Sequence, residues 1–208
     1  MPWYEYFVLI SLTICILNCI YHTYSVIRLG NPPEYARKAG NTGKAVLYSF
    51  TGAMSPKLKE SAYLHMPTYT AGIIYHLGTF LAIILFFIIL TNVSIAGWLT
   101  MGMAGWLIIS VISGIAILLK RISKKELRSL SNPDDYISNI LVTLFQLTTA
   151  LVLLFNDARI WYFTATALLL LYFPLGKLKH AIYFFAARYH LGYFYGWRGV
   201  WPPKPVKK

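Results

Sequence analysis

Residues 68–91 read TYTAGIIYHLGTFLAIILFFIILT, a run with no charged side chain and one histidine, His76, in its first half. Crossing a hydrocarbon core of about 30 Å takes roughly 20 helical residues, so this run is long enough to span a membrane. Four more stretches share its character, at 4–27, 95–119, 136–155 and 160–187. Over the whole chain the mean hydropathy is +0.56, with 57% apolar and only 12% charged residues. Soluble domains carry about 25% charged residues, so lipid is the solvent this composition fits. The expected fold is an all-α integral membrane protein, a bundle of five transmembrane helices in one domain covering residues 1–208. Residues 92–94 and 156–159 are too short to do more than join antiparallel neighbours.

The formal charge of +12 is gathered in connecting segments. Arg28, Arg37, Lys38, Lys44, Lys57 and Lys59 lie in the first loop, residues 28–67, and Lys120, Arg121, Lys124, Lys125 and Arg128 in the third. Arg188, Arg198, Lys204, Lys207 and Lys208 lie in the tail, residues 188–208. Basic short loops stay cytoplasmic, which predicts the N-terminus outside and the C-terminus inside a multi-pass protein of the cell membrane, inner or plasma. Charge placed this way reports orientation and does not point to nucleic acid. The first span has Glu5 ahead of its apolar run and is longer than a signal-peptide core, so it is expected to be retained. The tail carries Tyr193, Phe194, Tyr195, Trp197 and Trp201, side chains suited to the membrane interface.

The first loop, rich in Pro32, Pro33, Gly40, Gly43, Gly52 and Pro56, is long for a connector; it fits either a docking segment or a solvated loop. Ser131, Asn132, Pro133, Asp134 and Asp135 fit helix punctuation, since such residues cap and start helices. Cys15 and Cys19, one turn apart in the first span, pack as small apolar side chains and lack the pattern that attaches haem covalently.

Histidine beside hydrocarbon needs a partner, and haem iron is one. His65 and His76 lie at the start of the second span, His180 and His190 at the end of the fifth. With those spans antiparallel, His76 and His180 are predicted to face each other as the two ligands of a non-covalent b haem. His65 and His190 form a second level nearer the surface, as ligands of a second haem or as interfacial, quinone or propionate contacts. Eleven positions bring His65 to within about 20° of the face of His76, about 16 Å away along an ideal helix. His22 fits an interfacial or hydrogen-bonded side chain. Lys177 and Lys179 can pair with haem propionates or snorkel to the surface, and Pro174 can bend the helix before them. Gly72 and Gly78 leave room for a macrocycle or for close helix packing.

Tyr75-His76-Leu77-Gly78, Leu118-Leu119-Lys120-Arg121 and Phe173-Pro174-x-x-Lys177-Leu178-x-His180 resemble the membrane cytochrome b family of the respiratory nitrate reductase gamma subunit. That family includes related cytochromes of sulfite-reductase-linked and heterodisulfide-reductase complexes, to which Ser131-Asn132-Pro133-Asp134-Asp135-Tyr136 is closer. The resemblance covers most of the chain from the second span on. It implies five spans with the N-terminus outside, and an inner haem on His76 and His180. It also implies electron relay between quinone and a cytoplasmic iron–sulfur or catalytic partner of an oxidoreductase complex. The family's outer-haem ligands have no counterpart, since Phe86 and the run Trp161, Tyr162, Phe163 stand at those positions. The chain has no nucleophile-and-base set and no phosphate-binding glycine loop, so a self-contained hydrolase or transferase is not expected. A non-catalytic redox subunit is the first expectation. A haem-free anchor or assembly subunit is the alternative, and a small transporter is disfavoured for want of charged mid-span residues.

Overall fold

A computed structural model describes residues 2–29, 34–55 and 64–203. Lys57, Lys59, Lys204, Lys207 and Lys208, with Pro32, Pro33 and Pro56, lie outside the described residues. The described secondary structure is helical. In chain order it comprises α1 (Trp3–Leu29), α2 (Thr42–Phe50), α3 (Met66–Leu90), α4 (Gly97–Ser123), α5 (Lys125–Ser129), α6 (Pro133–Leu154), α7 (Arg159–Tyr172) and α8 (His180–Trp197). Helices α1, α3, α4 and α6 are each long and apolar enough to cross a membrane, and α7 with α8 provides a fifth crossing if the pair acts as one span.

The expected fifth span is therefore corrected: residues 160–187 are not one helix. Helix α7 stops at Tyr172, and the amides of Leu175 and Gly176 both bond back to the Tyr172 carbonyl, closing a turn. Pro174 explains the break, because it has no N–H to continue the ladder and its ring crowds the preceding turn. Glycine is needed at 176 because a β-carbon there would collide with the Tyr172 ring and press on the Asp134 carboxylate.

The chain divides into two compact units, one comprising residues 1–17 and 66–178, the other 18–65 and 179–208. In the first unit α3, α4, α6 and α7 pack as a bundle, α4 touching both α3 and α6 and α6 touching α7. Val8, Leu85, Leu107, Tyr162 and Phe163 are fully buried there. The Tyr162 ring stacks on Phe145 at 6.3 Å, and Phe163 on Tyr4 at 5.8 Å. Helices approach closely through small residues, the usual device where lipid supplies no hydrophobic drive. A β-carbon on Gly78 would strike Ser110, and one on Gly114 would strike the Tyr75 ring.

Helix α6 begins as its sequence predicts. Asn132 Oδ1 accepts from the Asp135 amide and Asp135 Oδ2 accepts from the Asn132 amide, both at 3.0 Å, with Pro133 opening the first turn. Two otherwise orphaned N–H groups are satisfied reciprocally.

In the second unit the first loop is ordered where it meets α8. Helix α2 packs on α8 through Gly192 and Gly196, where β-carbons would collide with Val46 and Ala45. Ser49 Oγ donates to the Arg188 carbonyl at 2.8 Å, and Trp197 Nε1 to the Ala36 carbonyl at 2.6 Å. Both guanidinium nitrogens of Arg198 reach the Glu34 carboxylate, at 2.8 and 3.1 Å. The Ala36 amide and Arg198 hold the Glu34 carboxyl below its ordinary value of 4.5.

Candidate functional site

Tyr75 sets the rotation of α3. Its hydroxyl lies 3.0 Å from both the Asn139 carbonyl, to which it donates, and the Thr143 hydroxyl, while its ring fits against Gly114. With Tyr75 held inward, the next residue, His76, points out of the bundle and is exposed. Its Nδ1 lies 2.7 Å from the Gly72 carbonyl oxygen. A carbonyl only accepts, so Nδ1 carries a proton; in the neutral ring this leaves the lone pair on Nε2, the tautomer that metal-ligating histidines adopt when a backbone carbonyl orients the ring.

The two glycines beside His76 have different jobs. A β-carbon on Gly72 would meet nothing within 4 Å, so the surface one turn before His76 is open. Gly78 faces inward against Ser110 and serves packing. The open face carries exposed Ile73, Leu77 and Phe80. His76 therefore presents a nitrogen lone pair on an apolar surface with space beside it, a donor set that suits a flat iron porphyrin.

His180, His65, His190 and His22 belong to the second unit. His180 is the first residue of α8 and is exposed. His65, also exposed, precedes α3, and His190 is half-buried edge-to-face with Tyr189, ring centres 5.6 Å apart. No hydrogen bond or ring contact joins His65 to His190 among the described residues. His22 is hydrogen-bonded, its Nδ1 3.1 Å from the Tyr183 hydroxyl.

Lys177 forms an ion pair with Asp135, whose Oδ1 also lies 3.6 Å from Arg121 Nη1. Arg121 donates in addition to Ser131 Oγ at 2.9 Å, and Tyr172 hydrogen-bonds to Asp134. The lysine charge is thus already matched within a polar cluster that joins the end of α4, the start of α6 and the break after α7. The acidic residues of 131–135 read as punctuation in sequence; their second role as counter-ions needs the fold to bring Arg121 and Lys177 to them.

Deeper in the same bundle, Gln146 is fully buried, and its Nε2 donates to the Tyr75 carbonyl at 3.0 Å and to Thr79 Oγ1 at 2.7 Å. At the opposite end a cleft of about 200 Å³ opens between the α3–α4 and α6–α7 connections. Ile89, Ile95 and Val152 give it an apolar side, and Asn92, Asn156, Thr100 and Arg159 a polar one. Arg159 donates to Asn92 Oδ1 at 2.9 Å and pairs with Glu5 at 3.4 Å. Phe86, Tyr162 and Phe163, standing where the resemblance placed outer-haem ligands, are core residues of this bundle, whereas Trp161 is exposed.

No family model matches the chain, and neither a curated protein nor a solved structure matches it.

Proposed function

We propose that the chain is a membrane-bound electron-transfer subunit that binds haem b through His76 and His180 and relays electrons between quinone and a cytoplasmic iron–sulfur partner of an oxidoreductase complex. The observation that carries this is His76: an exposed imidazole on an apolar helix face, its Nδ1 proton fixed on the Gly72 carbonyl, its Nε2 lone pair free to ligate, and open space over Gly72. Haem iron, when bound, supplies one-electron storage. The protein's part is to aim the ligand. Tyr75 locks the rotation of α3, and the Gly72 carbonyl fixes the tautomer. His180 is the second ligand. His65 and His190 serve as ligands of a second haem or as contacts to propionate or quinone. The cleft at Arg159 offers donors over an apolar floor, as a quinone headgroup requires. The N-terminus lies outside and the C-terminus in the cytoplasm, so the partner meets this chain on its cytoplasmic side.

The test is a dithionite-reduced minus oxidised spectrum of the detergent-purified chain, with haem per polypeptide quantified. About one b haem is expected on the His76 and His180 pair alone, and His76→Ala or His180→Ala should each abolish its absorbance. Retention of that signal in either variant refutes the ligand assignment. Absence of haem from the purified chain favours a haem-free anchor.

A further inference from the structure

Helix α8 shows two opposite faces. Gly192 and Gly196 form the face closed by α2. About half a turn around the axis, Phe184, Ala187, Leu191 and Phe194 recur at spacings of three and four, one continuous stripe on a helix of 3.6 residues per turn. All four are exposed, Phe184 by 38%, Leu191 by 40% and Phe194 by 46%.

Charge surrounds this apolar stripe. Among its described residues the second unit carries seven basic side chains and one acidic one, a formal +6. The Arg198 guanidinium sits 3.6 Å above the Phe194 ring centre, Arg188 lies 5.7 Å from that of Phe184, and Lys38 5.7 Å from that of Trp197. On α2, Lys44 and Leu47 share an exposed face, with Leu47 66% exposed. Aromatic and aliphatic side chains backed by cations, almost without carboxylates, form the pattern of a helix seated in a headgroup layer. An acidic protein partner would satisfy the charge but would gain little from the apolar stripe.

We infer that the α2–α8 unit binds the membrane surface through anionic phospholipid: the Phe184, Leu191 and Phe194 stripe enters the interface while the exposed Arg37, Lys38 and Lys44 hold phosphate headgroups. The inference is independent of haem.

The experiment uses the full chain with Cys15 and Cys19 replaced by alanine, a spin label at Leu191→Cys or, separately, at Phe194→Cys, and nanodiscs of phosphatidylcholine with or without phosphatidylglycerol. Accessibility to oxygen and to a water-soluble nickel chelate is then compared. The expected result is a label open to oxygen and shielded from nickel, with shielding deeper when phosphatidylglycerol is present. Arg37→Gln and Lys44→Gln should weaken the phosphatidylglycerol effect by about fivefold each. Equal, high nickel access in both lipids would place the stripe in water and overturn the inference. Equal shielding in both lipids would show apolar embedding without headgroup recognition and overturn it as well.

Discussion

At the scale of single residues, the two glycines flanking His76 are alike in sequence and opposite in structure. Gly72→Leu places a side chain on the open face, so haem content should fall severalfold while the helical circular-dichroism signal is kept. Gly78→Leu drives the same side chain into Ser110, and overpacking of that kind costs roughly 1–3 kcal/mol, read as a lower melting temperature in detergent. His76 and its apolar surroundings were legible from residues 68–91. The separation of Gly72 from Gly78 was not, because the side chain that decides it, Ser110, belongs to another helix. Lys177 shows the same limit: its charge is visible in the sequence, but its pairing with Asp135 depends on where the break after α7 delivers it.

At the scale of elements, what local chemistry governs was readable and what distant partners govern was not. The start of α6 is local, since Asn132, Pro133 and Asp135 satisfy one another within one turn. Asn132→Ala should cost about 1 kcal/mol, measured as a drop in unfolding midpoint. Continuous hydropathy hid the end of α7, because Tyr172 through Leu175 remain apolar on both sides of Pro174. Helix α2 was hidden differently. Nine residues make a marginal helix alone, and α2 is stabilised by α8, far along the chain. Gly196→Val should therefore push Ala45 and Thr42 away and expose the first loop to limited proteolysis, with the bundle of α3, α4, α6 and α7 unaffected. The Glu34 and Arg198 pair adds a pH signature. The Glu34 carboxyl is held below its ordinary 4.5, so its contribution is complete above that value and is lost as pH falls through the lowered one. Protection factors of the Ala36 and Ala39 amides, corrected for the intrinsic pH dependence of exchange, should be steady through neutral pH and fall only in acid.

At the scale of the whole chain, the large apolar side chains left outside the cores, among them Ile10, Ile84, Ile112 and Leu168, are what a helical protein presents to lipid. The basic segments make orientation testable. A cysteine at Lys125 in the Cys-free background should react with an impermeant maleimide only after the cytoplasmic side is opened, and one at Val93 should react in intact cells. The opposite pattern would reverse the topology. The bond from Ser49 to the Arg188 carbonyl joins residues 139 positions apart. A ribosome adding about 5–20 residues per second needs roughly 7–28 s to cover that distance. For that interval the loop strand bearing α2 has emerged but has nothing to fold against. Assembly of the second unit is thus bound to wait until α8 has been made. That delay gives insertion factors or a partner a window of access to α2 that closes once the tail arrives.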